Sequence, residues 1–222
     1  MSKLIIVRGL PGTGKSTFAK SFGCFHVEND FYHVRDGKYC FDELRKGQSI
    51  SWCMNMVDTA VMNGIDVVVS NTFVKREYIE IYKRWADDCN LDFAVYRMMG
   101  SFDNVHNVPD DIKKSMSDEW EDWDGEIFIY PNMHFDKDDP VCRPYMATRF
   151  KIGDHVIAQR IKGGKDTVSF DEKFEMEEAE AVVTDIRQAT YDYLNIFFKF
   201  VDTGKEGLAM SGDLKKCVVK HD

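Results

Sequence analysis

A glycine-rich loop near the amino terminus constrains the fold of this chain more than any other feature. The segment Gly9-Leu10-Pro11-Gly12-Thr13-Gly14-Lys15-Ser16 follows an apolar run at residues 4–7 and opens a helix-forming stretch at residues 15–22. A strand that runs through a glycine turn into a helix is the repeating unit of a parallel α/β sheet.

The residue types of this loop match the requirements of phosphate binding. Glycines let backbone N–H groups converge on one anion without a clash from Cβ, and the N-terminus of a helix adds partial positive charge. In such loops a lysine, here Lys15, reaches the β- and γ-phosphates, and a hydroxyl, here that of Ser16, binds Mg²⁺. We expect ATP and Mg²⁺ to be held by Gly9, Pro11, Gly12, Thr13, Gly14, Lys15, Ser16 and Thr17. The alternative is a glycine turn that only joins a strand to a helix.

The first 135 residues alternate apolar runs with helix-like stretches, which predicts an α/β domain with a five-stranded parallel sheet flanked by helices. The predicted strands are residues 3–8, 24–28, 66–70, 92–98 and 126–130, and the predicted helices are residues 15–22, 41–63, 75–90 and 109–121. The second helix is expected to break near Gly47-Gln48-Ser49, because glycine is a poor helix residue and serine a good cap.

Residues 141–222 instead alternate short β-like runs with turns, at 145–150, 155–160, 181–186, 194–200 and 207–210. This spacing predicts a small five-stranded β-barrel, and Phe150-Lys151-Ile152-Gly153-Asp154-His155-Val156 resembles the opening of SH3-like barrels. The charged segment Asp136-Lys137-Asp138-Asp139-Pro140 predicts a linker, which divides the chain into domains at 1–135 and 141–222.

Composition excludes several classes of protein. The longest apolar runs have four residues, whereas a membrane-spanning helix needs about 20, and the short start before the first strand leaves no room for a signal peptide. We therefore expect a cytoplasmic protein without membrane contact.

The six cysteines form no CxxC pair, so neither a disulfide framework nor a zinc site is indicated. The net charge of −9 argues against non-specific coating of nucleic acid, but not against a local basic groove.

A candidate base follows the second predicted strand, in the segment Val27-Glu28-Asn29-Asp30-Phe31-Tyr32-His33. The carboxyl ends of parallel strands line one crevice, so Asp30 is expected to face the nucleotide and accept the proton of an attacking hydroxyl. The alternative is a helix cap, and Glu28 and Asn29 share either role.

The third predicted strand ends in Ser70-Asn71-Thr72, with Asn71 where an aspartate would support a metal. An amide supplies no carboxylate, so Asn71 and Thr72 are expected to orient substrate or water, or to form a turn or cap. Lys75 and Arg76, a little further on, are candidates for binding acceptor phosphates or for a solvated helix start.

Four segments together resemble the P-loop kinase family that contains bacteriophage polynucleotide 5′-kinases and related AAA-type nucleic-acid kinases. They are Arg8 to Thr17, Asn29-Asp30-Phe31-Tyr32, Ser70-Asn71-Thr72 and Asn104-Val105-His106-Asn107-Val108-Pro109. The resemblance covers residues 3 to about 130. It implies an ATP-dependent kinase whose general base is Asp30, with a lid after the fourth strand and a lid helix that starts at Pro109.

The lid departs from the family pattern, because Asp103 stands where a basic residue is common. Arg97 on the fourth strand is the candidate to supply this charge as a catalytic residue. Lys113 and Lys114 are further candidates, or solvated surface charges. His33 is expected to touch an acceptor phosphate, or to be an exposed loop residue without a role.

The sequence thus predicts transfer of a phosphoryl group to a hydroxyl on DNA or RNA, at a 5′ end or a modified base. A small-molecule kinase and a nucleotide-binding module without transferase activity are the alternatives. Basic residues of the second region either guide nucleic acid or belong to a stabilising appendage: Arg143, Arg149, Lys151, Arg160, Lys162 and Lys165. Trp120 and Trp123 are expected in core packing, with base stacking as the alternative. No pattern predicts an oligomeric state.

Overall fold

The apolar runs of the first region form strands in a computed structural model of the protein. This region contains β1 (Lys3–Arg8), α1 (Lys15–Lys20), β2 (Phe25–Val27), β3 (Val34–Arg35), β4 (Lys38–Tyr39), α2 (Lys46–Met62), β5 (Val67–Ser70), α3 (Arg76–Asp88), β6 (Asp92–Met98), α4 (Asp110–Asp118) and β7 (Ile127–Pro131). The structure describes residues 2–102, 108–132, 137–138, 144–162, 175–188, 194–210 and 214–216. The chain divides into two compact units, Met1–Ile129 and Tyr130–Asp222.

The sheet of the first unit has the strand order β2-β5-β1-β6-β7, and each adjacent pair runs parallel. β1 is central, with Val7 opposite Ser70 of β5 and Tyr96 of β6. The chain leaves β1 for β2 and β5 on one side and later adds β6 on the other. The carboxyl end of β1 therefore opens into the crevice where open α/β sheets bind ligands. The predicted α/β class with a parallel central sheet is confirmed.

The core of this unit packs β1 and β5 against α2 and α3. Its fully buried side chains include Leu4, Ile6, Cys53, Val57, Val67, Val69, Ile79 and Ala86. Burying one large apolar side chain contributes roughly 1.5–3 kcal/mol, so this cluster holds the strand ends in place. In the part of the chain that the structure describes, no helix is long and apolar enough to cross a membrane.

The predicted break in the second helix is wrong. α2 runs without interruption through Gly47-Gln48-Ser49. The helix is instead preceded by a separate 3-10 turn, Glu43–Arg45, where the Asp42 carboxylate accepts a hydrogen bond from the Leu44 N–H (3.0 Å). This cap belongs to the 3-10 turn, and the N-cap residue of α2, Arg45, makes no side-chain capping hydrogen bond. Packing of the buried face of α2, which includes Cys53, Val57 and Ala60, outweighs the low helix propensity of one glycine.

The second unit contains an antiparallel sheet. Its strands are β8 (Tyr145–Thr148), β9 (His155–Ile161), β10 (Met176–Gln188), β11 (Leu194–Phe200), β12 (Glu206–Met210) and β13 (Lys215–Lys216). Five of them pair in the order β12-β11-β10-β9-β13. The runs predicted at 155–160, 181–186, 194–200 and 207–210 each lie within one of these strands. The SH3-like barrel stays a prediction, and most of the predicted linker at 136–140 lies outside the described residues.

Candidate active site

The loop between β1 and α1 contains glycines in backbone conformations that other residues avoid. Gly9 and Gly14 have φ angles of 152° and 89°. A Cβ on Gly9 would lie 2.6 Å from Oγ1 of Thr13, and a Cβ on Gly14 would lie 3.1 Å from the ring of Phe102. Both positions therefore require glycine.

Backbone hydrogen bonds tie this loop to the strands on both sides of β1. The Gly9 N–H donates to the carbonyl of Thr72, which follows β5 (3.4 Å). The N–H of Phe102, which follows β6, donates to the Gly12 carbonyl (2.8 Å). Thr72, predicted to orient substrate, thus anchors the loop through its backbone.

Lys15, the first residue of α1, lies close to two carboxylates. Its Nζ donates to the carbonyl of Leu10 (2.9 Å). Burial lowers the pKa of Lys15 to about 8, and the negative charges of Glu28 and Asp30 act in the opposite direction. The fold therefore brings together an ammonium from α1 and two carboxylates from the segment after β2. Of the other predicted loop ligands, Thr17 is exposed.

Glu28, directly after β2, receives hydrogen bonds from two serine hydroxyls. Its Oε2 accepts from Ser16 Oγ (2.8 Å) and from Ser70 Oγ (2.7 Å). Ser16 belongs to the first turn of α1 and Ser70 ends β5. The Glu28 side chain is only 12% exposed, so these donors compensate a carboxylate that has lost most of its water.

His26 extends this chain of hydrogen bonds. Its Nε2 lies 2.8 Å from Ser70 Oγ and 3.8 Å from Glu28 Oε2. The Ser70 hydroxyl has one proton and donates it to the carboxylate, so His26 Nε2 carries its own proton and donates it to Ser70. Burial lowers the pKa of His26, which makes the ring neutral at pH 7. The charge of Glu28 is therefore not cancelled by His26.

Asp30 lies in a 3-10 turn, Asn29–His33, that follows β2. The hydroxyl of Tyr39 in β4 donates a hydrogen bond to Asp30 Oδ1 (3.2 Å). Burial, together with the adjacent Asp30 charge, raises the pKa of Tyr39, so the phenol stays protonated and remains a donor. The N-cap of the turn is Glu28, so Asp30 is not the cap that the alternative interpretation proposed.

Asn71 fastens the turn that carries Asp30. Its Oδ1 accepts from the N–H of Asn29 (2.9 Å), and its Nδ2 donates to Cys53 Sγ (3.9 Å). Burial raises the pKa of Cys53 to about 11, so the partner is a neutral thiol. Both ends of the Asn71 amide therefore contact protein groups, and Asn71 holds the turn that carries Asp30.

Two predicted substrate contacts have other partners. His33 is 3% exposed, and its ring lies 5.0 Å from that of Phe41 and 6.3 Å from that of Tyr39, between centroids. The β3–β4 hairpin, which no local pattern indicated, brings Tyr39 to this position. The Nζ of Lys75 pairs with Glu119 at 3.4 Å. These contacts argue against an acceptor contact for His33 and Lys75, and also against an exposed His33.

Arg97, the predicted catalytic arginine, is held by two carboxylates and an aromatic ring. Its Nη1 lies 2.7 Å from Asp122 Oδ1 and 3.3 Å from Glu126 Oε1. Its Cζ lies 4.5 Å from the ring centre of Trp120. The charge of Arg97 is therefore compensated within the protein, which argues against the catalytic role.

Arg8 directly precedes the loop but was not among the predicted site residues. It is fully buried, and its guanidinium donates to Glu126 Oε2 (3.1 Å) and to the Glu121 carbonyl (2.8 Å). Its Cζ lies 4.2 Å from the ring centre of Trp120, which agrees with core packing for this tryptophan. The sequence did contain a signal for this buried charge, because Arg8 directly follows the apolar run of residues 4–7.

Residues 103–107 of the predicted lid segment, which include Asp103 and His106, lie outside the described residues. A helix is present where the lid helix was predicted, since α4 begins one residue after Pro109. Lys113 and Lys114 form ion pairs at 3.0 and 2.6 Å with aspartates of the same helix, as expected of surface charges.

Two cations of the predicted basic patch of the second unit, Arg160 and Lys162, form ion pairs. Arg160 lies 2.8 Å from Glu177 and 2.6 Å from Asp202. Lys162 lies 2.9 Å from a neighbouring glutamate. Arg143 and Lys165 lie outside the described residues. The paired cations are compensated by protein carboxylates.

Comparisons with known proteins give curated relatives and several partial structural likenesses. No family model matches the chain. The uncharacterized protein PM0531 of Pasteurella multocida (strain Pm70) is 30% identical over 126 residues, which cover 49% of this chain and 70% of that protein.

Among solved structures, a sugar kinase from Janibacter sp. HTCC2649 has 15% identity and a TM-score of 0.33, over 55% of this chain and 70% of that chain. The Pnkp1/Rnl/Hen1 complex has 18% identity and a TM-score of 0.38, over 51% of this chain and 38% of that chain. The Mycobacterium tuberculosis APS kinase CysC in complex with AMPPNP and APS has 16% identity and a TM-score of 0.35, over 51% of this chain and 67% of that chain. Sequence identities and TM-scores this low support no conclusion about the activity of this chain.

Proposed function

This chain belongs to the same family as the uncharacterized protein PM0531 of Pasteurella multocida, and from the geometry of its glycine loop we propose that it is an ATP-dependent phosphotransferase. The observation that carries the proposal is the meeting of Lys15, Glu28 and Asp30 beside that loop. Phosphoryl transfer needs positive charge at the phosphates and a base for the acceptor hydroxyl. We assign the activity to the first unit of the chain.

The loop binds the phosphates of ATP, and Lys15 turns from the Leu10 carbonyl to the γ-phosphate. With a pKa of about 8, Lys15 is mostly protonated at pH 7, and bound phosphates raise this pKa further. Lys15 thereby supplies the positive charge that Arg97, held by carboxylates, does not.

Mg²⁺ fits the oxygen donors present at Ser16. The Ser16 hydroxyl lies 2.8 Å from a carboxylate oxygen of Glu28. Mg²⁺ prefers hard oxygen ligands together with substrate phosphates, so we place Ser16 as its protein ligand. The bound ion would offset charge on the phosphates.

Asp30 acts as the general base. One of its carboxylate oxygens takes the proton of the acceptor hydroxyl while the hydroxyl oxygen bonds to the γ-phosphorus. The bond between that phosphorus and the bridging oxygen of the β-phosphate breaks, which releases ADP. The hydrogen bond from Tyr39 (3.2 Å) and the Asn71 contact to the turn (2.9 Å) orient the Asp30 carboxylate.

For the acceptor we propose a nucleic-acid hydroxyl, at a 5′ end or on a modified base, supported by the sequence resemblance to polynucleotide kinases. A small-molecule acceptor is the second candidate. It is favoured by the ion pairs that compensate Arg160 and Lys162, and by the net charge of −9.

The test is transfer of γ-labelled phosphate from ATP to 5′-hydroxyl DNA, 5′-hydroxyl RNA, duplex DNA with hydroxymethyl bases, and a panel of sugars and nucleosides. Wild type is compared with Asp30→Asn, which keeps the size of the side chain but cannot act as a base. We expect label on one acceptor class, reduced by at least about 100-fold in Asp30→Asn. ATP binding without transfer to any acceptor would point to a nucleotide-binding module.

A further inference from the structure

We propose that Glu28 is the carboxylate that supports the divalent cation of this site, and that Ser70 and His26 position it; the inference rests on the proposed use of ATP. The strand beside β1, β5, is followed by Asn71, whose amide contacts Asn29 and Cys53. The carboxylate near the loop serine comes instead from the end of β2.

Glu28 is already in contact with the proposed metal ligand. Its Oε2 lies 2.8 Å from Ser16 Oγ. Mg²⁺ usually keeps several of its waters, so a carboxylate next to the ligating hydroxyl supports the ion directly or through one water. In the part of the chain that the structure describes, the side-chain hydrogen bonds to the Glu28 carboxylate involve Oε2 alone, so Oε1 keeps its capacity to accept from a metal-bound water.

The charges around the loop require a cation when a triphosphate binds. Lys15 provides one positive charge near both Glu28 and Asp30. Two carboxylates beside a triphosphate repel it strongly in a poorly solvated site, and a divalent cation between them removes that repulsion.

Ser70 and His26 hold Glu28 in one orientation. Ser70 is 1% exposed at the end of β5 and donates to Glu28 Oε2 (2.7 Å), while His26 donates to Ser70 (2.8 Å). Both donors lie on strands of the sheet. A carboxylate fixed by groups on rigid strands is pre-organised for the ion, so less ordering is needed when it binds.

The test measures binding of AMPPNP by calorimetry at increasing Mg²⁺ concentration, with the full chain. We expect Glu28→Gln to raise the Mg²⁺ concentration at half-maximal binding about 10- to 100-fold. In EDTA, the same variant is expected to bind AMPPNP at least as well as wild type, because one repelling charge is gone. Asp30→Asn, the matched control, removes the same charge two residues away and is expected to shift the Mg²⁺ dependence less than about threefold.

The outcomes separate this inference from the proposed function. Equal Mg²⁺ dependence in Glu28→Gln and wild type overturns the inference and leaves the proposed function standing. Absence of AMPPNP binding by wild type at any Mg²⁺ concentration overturns both. Melting temperatures report whether each variant folds. Should Glu28→Gln fail to fold, Ser70→Ala carries the test: a raised Mg²⁺ requirement supports the inference, and an unchanged one overturns it.

Discussion

Replacing Glu126 with Gln keeps the shape of a buried side chain and removes the negative charge opposite Arg8. Arg8 is fully buried, the Glu126 side chain is 2% exposed, and 3.1 Å separate Nη1 from Oε2. The other oxygen of this carboxylate lies 3.3 Å from Nη1 of Arg97. One carboxylate thus compensates two guanidinium groups, and one of these belongs to the residue that directly precedes the glycine loop.

The expected loss follows from what remains around Arg8. Removing one partner of a buried ion pair typically destabilises a protein by about 3–5 kcal/mol, because the other charge is left uncompensated. Arg8 keeps the carbonyls of Phe73 (2.5 Å) and Glu121 (2.8 Å), and Gln still offers one carbonyl oxygen. We therefore expect the lower end, a loss of about 3 kcal/mol in the free energy of unfolding.

Urea unfolding followed by tryptophan fluorescence measures this loss in the first unit, since all four tryptophans lie there. Asp124→Asn is the matched control. Asp124 is 91% exposed and pairs with Arg76 at 3.3 Å, so its loss is expected to stay below about 1 kcal/mol. A loss in Glu126→Gln no larger than in Asp124→Asn would refute the conclusion that this buried cluster stabilises the start of the loop.

Three further predictions concern Lys15, Asn71 and Arg160. Folding lowers the pKa of Lys15 from 10.5 to about 8, so the unfolded chain binds more protons between these values and stability rises with pH. Relative to Lys15→Met, wild type should gain about 2 kcal/mol in urea unfolding between pH 8 and pH 10, and a constant difference would contradict the lowered pKa. Asn71→Ala should slow phosphoryl transfer about tenfold while AMPPNP affinity changes less than about twofold, because the substitution loosens only the turn that carries Asp30. Equal losses in transfer rate and in AMPPNP affinity would argue against a positioning role for Asn71. Arg160→Ala should leave the salt dependence of any DNA affinity unchanged, since protein carboxylates already compensate this arginine. A slope reduced by about one in a plot of log affinity against log salt would show a phosphate contact instead.

Much of the fold of the first unit was predictable because its signals are local. β1 and β6 have the predicted bounds, since apolar runs bounded by turn residues specify strands over a few neighbours. The glycine loop joins β1 to α1 as its spacing predicts. The start of α2 at Lys46 was not predictable from propensity, because packing of its buried face outweighed one glycine and a separate 3-10 turn, capped by Asp42, precedes it.

The roles of single polar residues were less predictable, since they depend on distant partners. His33 and Arg97 both occupy positions compatible with a catalytic role in the sequence. The β3–β4 hairpin covers His33, and the carboxylates of Asp122 and Glu126 hold Arg97. These partners lie more than one helical turn away in sequence from the residue that they contact. A local sequence pattern therefore does not predict these contacts.

The sequence by itself determined that a phosphate-binding loop opens a parallel α/β sheet, because glycine spacing and apolar runs act over adjacent residues. Only the tertiary structure decided which carboxylate faces the loop. Glu28 meets Ser70 across 42 positions, and Arg8 meets Glu126 across 118. The physical reason is that strand order and register set the direction and neighbours of each side chain, and a shift of one residue would turn each of them to the other face.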